Sequence, residues 1–96
     1  MNRPILYIDF NRMIDEDLCL LSSEDAVLDA EGRVTVLHEG LPITVYDDDI
    51  DNNGQIDNLV AEGVVERNKI TTGPSACVKW CCRIDENGVR HQSEIK

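Results

Sequence analysis

Apolar and polar residues alternate along much of this chain, most clearly near its end. Residues 77–84 set Val78, Trp80, Cys82 and Ile84 on one face and Cys77, Lys79, Cys81 and Arg83 on the other. A two-residue period with one apolar and one largely cationic face is what a half-buried antiparallel strand requires. The pattern predicts a buried Cys82, a more exposed Cys81, and Trp80 as a centrepiece of the core. Asp85-Glu86-Asn87-Gly88 then reads as a tight hairpin turn, since Asn-Gly adopts positive φ at little cost. Val89 to Gln92 returns as a short last strand, with a frayed tail at 93–96.

Earlier segments carry the same signal. Residues 4–10, rich in Ile, Leu, Tyr and Phe, form a first strand, and Asn11 to Asp17 a turn. Leu18 to Leu21 is a short second strand. Between residues 22 and 32 the pattern is ambiguous. Ser22 or Ser23 could cap a short helical turn with Ala26, Val27 and Ala30 on one side and Gly32 ending it, and this is slightly preferred to an extended segment. Val34 to Leu37 is a β-branched run stopped at Glu39-Gly40. Ile43 to Tyr46 follows, with Pro42 at its first position, where a missing N–H matters little. After an acidic loop, Asn58 to Glu66 makes a strand in which Gly63 marks a bulge or bend. Residues 69–75 read as a connecting loop. Six or seven short strands with regular turn signals predict an all-β fold, with at most one short helical turn. A small SH3-like antiparallel barrel is the expected form. The chain's 96 residues form a single domain, because two halves could not each bury an adequate core.

Charge narrows the choice of partners. The net charge is −10, with 16 acids against three arginines over residues 1–66, a balance of −13, and +3 over residues 67–96. Such a surface repels phosphate backbones, so direct nucleic-acid binding is not expected, whereas a protein with a basic surface is a suitable partner. No apolar run reaches the roughly 20 residues of a membrane span. The segment after Met1 does not read as an export signal, so the expected location is cytoplasmic.

Asp47 to Asp57 gathers five aspartates in eleven residues. Asp47, Asp48, Asp49, Asp51 and Asp57 are therefore the candidate residues for contacting a basic partner. Within the loop, Asp49-Ile50-Asp51-Asn52-Asn53-Gly54-Gln55-Ile56-Asp57 matches the first nine positions of an EF-hand-type calcium loop. Asp49, Asp51, Asn53, the Gln55 carbonyl and Asp57 would be the oxygen ligands of Ca²⁺, and Gly54 would make the turn. The twelfth position is Val60 rather than a bidentate Glu, and neither flank is an amphipathic helix. The same Asp, Asn and Gly residues are ordinary turn formers, so a solvated β-loop accounts for the pattern as well.

Other chemistry is sparse. On one strand, Cys77 and Cys81 would lie about 13 Å apart at ~3.3 Å per residue, beyond disulfide reach, and adjacent Cys81 and Cys82 form no C-x-x-C hook for zinc. Free thiols are expected, with a pairing of Cys19 left open. Cys81, between Lys79 and Arg83, could have a lowered pKa. His38 and His91 stand alone and read as surface or satisfied side chains. With no nucleophile elbow or phosphate-cradling glycine loop, an enzyme is not expected.

Asp9-Phe10-Asn11, Leu37-His38-Glu39-Gly40 through Val45-Tyr46-Asp47-Asp48, and Leu59 to Val65 resemble stretches of short, uncharacterised bacterial single-domain proteins. The resemblance spans residues 5–67 and implies an SH3-like barrel with no assigned activity.

Overall fold

The computed structural model describes residues 3–94. Strands are β1 (Ile5–Tyr7), β2 (Leu18–Ser22), β3 (Ala26–Leu28), β4 (Val34–Val36), β5 (Pro42–Asp47), β6 (Leu59–Arg67), β7 (Trp80–Ile84) and β8 (Arg90–His91). Three short 3-10 turns, Phe10–Arg12, Pro74–Cys77 and Gln92–Glu94, are the helical elements among the described residues. The fold is all-β. A curled half-barrel sheet runs in the order β1-β5-β6-β7-β2, and β3 and β4 form a separate two-stranded sheet. Its pairings are antiparallel except β1 on β5, which is parallel because β2 to β4 intervene between them in the chain.

The register explains the core. Reading across the strands, Leu6 aligns with Val45 and Ala61, Ile43 with Gly63 and Ile84, and Val65 with Cys82 and Cys19. All of these sit on the concave face, where alternate residues of adjacent strands meet. Leu37, Ile8 and Trp80 complete the cluster. Trp80 is 6% exposed, its indole Nε1–H donates to Asp25 Oδ1 at 3.0 Å, and Lys79 and Arg67 lie over its ring. The expected role of Trp80 holds.

Several expectations are corrected. Residues 22–32 contain no helical turn. Ser22 Oγ accepts the Glu24 N–H in a local turn, then β3 pairs with β4 in register Ala26↔Val36 and Leu28↔Val34, a long-range partnership that outweighs local capping. Gly63 is not a bulge, since β6 keeps one register with β5 on both sides of it and with β7 from Gly63 onward; the irregularity lies in β2 between Leu20 and Ser22. A Cβ at Gly63 would overlap the Arg83 carbonyl oxygen, so the glycine answers a close approach of backbone. Residues 77–79 are outside β7, and Cys81 is 0% exposed, because Leu20, Val78, Ile14 and Leu18 pack a second small cluster on its face.

A further correction concerns Asp85 to Gly88. Gly88 has φ of 68° and donates to the Asp85 carbonyl at 3.1 Å, so a turn is present. It is not a hairpin. β8 pairs with β6 at Leu59↔His91 and Val60↔Arg90, on the edge that β7 occupies further along. β7 and β8 run in the same direction, and residues 85–89 loop out opposite Ala61 and Glu62. The unpaired start of β6 captures β8 in place of the neighbouring β7. The frayed-tail expectation fails at Ser93, whose N–H and hydroxyl both bond Asp57; residues 95–96 lie outside the described residues.

Candidate functional site

The acidic loop is a small ordered hairpin joining β5 to β6. Asp51 organises its tip. Its N–H donates to the Gln55 carbonyl at 2.8 Å, and its Oδ1 accepts the Asn53 and Gln55 N–H groups at 2.9 Å each. Gly54, with φ of 78°, completes the reversal and donates to the Asp51 carbonyl. An aspartate that bonds the backbone two residues on, followed by a residue free to take positive φ, is a self-contained turn. One step back, Ile50 and Ile56 bridge across the hairpin, and the Asp57 N–H donates to the Asp49 carbonyl at 2.9 Å.

The base of the hairpin is held by distant parts of the chain. Asp49 Oδ2 lies 2.8 Å from His91 Nε2, and His91 Nδ1 lies 3.1 Å from Glu94. Hydrogen bonds first to Asp49 and then to Glu94 raise the His91 pKa, and the same His91 bond chiefly lowers that of Asp49. Asp57 is held below the usual carboxylate range by the Ser93 N–H and hydroxyl. At the other end, Asp47 Oδ2 accepts the Phe10 N–H at 3.2 Å and Oδ1 the Asp48 N–H. The nearby Asp47 carboxylate, aided by Asp48 and Asp9, raises the Tyr7 phenol's pKa.

These partners send the expected calcium ligands in different directions. The Asp51 oxygen faces its own turn, Asp49 faces His91, Asp57 faces Ser93, and the Gln55 carbonyl is used inside the hairpin. Among the described residues no group of three or more His, Cys, Asp or Glu side chains is placed to share an ion. Asp48 is the candidate partner-binding carboxylate that stands exposed, and Asn53 is exposed at the tip.

Sequence reasoning passed over the apolar residues of this loop. Ile50 is 65% and Ile56 80% exposed, directly across from each other. Their signal was available, since two isoleucines in a stretch of Asp, Asn and Gly have no place in a merely solvated loop. Beside the hairpin, Tyr7 and Tyr46 stand on neighbouring strands with ring centroids 5.4 Å apart in an edge-to-face pair.

The cationic face is spoken for. Lys79 Nζ lies 2.6 Å from Asp25, and Arg83 grips Glu66 at 2.8 Å and Asp17 at 2.7 Å. Bonds to Glu66 and Asp17 raise the guanidinium's pKa. Cys81 does not have the lowered pKa that Lys79 and Arg83 could have given it. Burial raises it, and Glu66 adds to the effect against Arg83. All four thiols are free, with Cys77 exposed and Cys19, Cys81 and Cys82 buried.

Fold and hairpin together define a small β-sheet domain carrying a pre-ordered acidic projection. No family model, curated protein or solved structure matches the chain. Among the described residues no helix is long and apolar enough to cross a membrane.

Proposed function

We propose that this chain is a non-enzymatic, cytoplasmic interaction module, an SH3-like barrel that presents the Asp47–Asp57 hairpin to a basic protein surface. One observation carries the reading: Ile50 and Ile56 are paired in open water at the end of a hairpin already ordered by Asp51. An exposed apolar contact within a charged rim is the usual make-up of a protein-binding surface, and prior ordering lowers the entropy lost on docking. Asp48 stands exposed on the rim, with Asp49, Asp51 and Asp57 half-buried behind it. The complementary partner has a shallow apolar depression edged by Arg and Lys. Long-range attraction from the −10 net charge speeds that encounter and repels nucleic acid.

The test is affinity capture of a partner followed by titration of variants. Ile50→Ser with Ile56→Ser removes only exposed side chains, so the melting temperature stays put while affinity falls at least about tenfold, the effect of losing two small apolar anchors. Asp48→Asn with Asp51→Asn slows association and weakens its salt dependence. A partner whose binding ignores both pairs of changes would overturn the proposal. Millimolar Ca²⁺ serves as a control: a raised melting temperature would reassign the hairpin to cation binding, since a ligand must stabilise the state it binds.

A further inference from the structure

Cys19 and Cys82 are direct cross-strand partners. They stand opposite each other in the β2–β7 register and both belong to the main core cluster on the concave face. The Ile84 N–H donates to the Asp17 carbonyl at 2.7 Å, which makes 17↔84 a hydrogen-bonded pair and, two residues on, 19↔82 another. Opposed residues of that kind have Cα atoms about 5.5 Å apart, inside the range that a disulfide spans. The remaining thiols are placed elsewhere. Cys81 points to the opposite face, among Leu20 and Val78, and Cys77 is exposed on the 3-10 turn before β7.

We propose that Cys19 and Cys82 form a redox-closable pair, a disulfide site that joins edge strand β2 to β7 when the protein meets a low-molecular-weight disulfide such as oxidised glutathione. The chemistry balances by thiol–disulfide exchange. The Cys19 thiolate attacks one sulfur of the oxidant and expels its first thiol, leaving a mixed disulfide on Cys19. The Cys82 thiolate then attacks Cys19 Sγ, forms the Sγ–Sγ bond and expels the second thiol. Two protein thiols and one disulfide become one protein disulfide and two small thiols.

Cys19 reacts first because β2 ends the sheet, held on one side by β7 and on the other by a single bridge from Met13 to Cys19, and is interrupted by a register shift after Leu20. The closed core resists the reaction. Both side chains are fully buried, and burial pushes the Cys19 thiol up to about 11 and the Cys82 thiol up to about 12. Exchange therefore proceeds through local opening of β2, and its rate follows that opening. Once made, the bond closes the chain between residues 19 and 82, a long loop, and raises the melting temperature by roughly 10 °C or more.

The experiment incubates reduced protein with oxidised glutathione, both native and during refolding from urea, then alkylates remaining thiols and measures intact mass. The expected product has lost two hydrogens, takes up two alkyl groups rather than four, and melts higher. Cys77→Ser and Cys81→Ala still form it, whereas Cys19→Ala and Cys82→Ala do not. Should the variants fail to fold, peptide mapping of the wild-type product locates the link. Four alkylations after refolding, glutathione held at Cys77 alone, or a bond using Cys77 or Cys81 each overturns the proposal.

Discussion

Replacing Gly63 by alanine adds one methyl group at the centre of the sheet. Gly63 lies between Ile43 of β5 and Ile84 of β7 on the concave face. An added Cβ would overlap the Arg83 carbonyl oxygen and stand 2.9 Å from both the Arg83 carbonyl carbon and Cys82 Sγ. Two of these three atoms are backbone, so no side chain can rotate away, and β6 and β7 must part. Overpacking typically costs about 1–3 kcal/mol, and a clash against backbone that cannot rotate away puts this one at the top of that range, about 3 kcal/mol. The lower entropy of the unfolded alanine chain returns about 0.4–1 kcal/mol, leaving a net loss of at least about 2 kcal/mol. A domain of this length has about 5–15 kcal/mol in total, and each kcal/mol moves its melting temperature by about 4–8 °C. The expected drop is therefore roughly 10 °C or more, followed by Trp80 fluorescence and far-ultraviolet circular dichroism. Gly40→Ala is the comparison. A Cβ there meets nothing within 4 Å, but φ is +85°, so the penalty is purely conformational, about 1 kcal/mol. A Gly63→Ala protein melting within 3 °C of wild type, or above Gly40→Ala, would refute the steric argument.

Two further outcomes follow from the same structure. Ellman's reagent added to the reduced native protein titrates one thiol quickly, that of exposed Cys77, and the other three only slowly, as β2 opens locally or the chain unfolds; two or more fast thiols would contradict the burial of Cys19, Cys81 and Cys82. His91 has a raised folded pKa, so its hold on the hairpin is complete below about pH 6.5 and is lost as pH rises through that raised value. Asp49 and Asp57 have lowered values, so their contributions are complete above about pH 4 and are lost in stronger acid. The hairpin base is thus tightest between about pH 4 and 6.5. Nuclear magnetic resonance of the His91 ring shows this as a midpoint above 6.5, and a midpoint at or below 6.5 would contradict the paired geometry.

The strands that alternate cleanly were legible. Ile43 to Tyr46 and residues 58–66 became β5 and β6 with changes of a residue or so at each end. Local patterns misled where a distant segment decides. Ser22, Ala26, Val27 and Ala30 have spacing compatible with a helical turn, yet Val34–Val36 claims that segment as a strand partner. Cys81 looked solvent-facing because its strand neighbours are charged, but Leu20 and Val78 cover it. Asn87-Gly88 foretold a turn without foretelling a jog, because the strand that captures β8 lies some thirty residues earlier, at Leu59 and Val60. Within the hairpin, the Asp51 turn is local and could be read directly. The anchors at Phe10, His91 and Ser93 are 36 to 42 residues from the aspartates they hold, beyond any spacing rule.

The excursion at residues 85–89 gives the last third of the chain an unusual tolerance. Since β7 and β8 lie end to end on one rail of β6, extra residues at Asn87 only enlarge a detour in solvent, and the alignment on either side survives. Deletions act differently. With too little slack to reach Val60, β8 is dragged away, and His91 and Ser93 leave Asp49 and Asp57 with it. The length of one surface detour thus governs how firmly an acidic projection some forty residues upstream is moored.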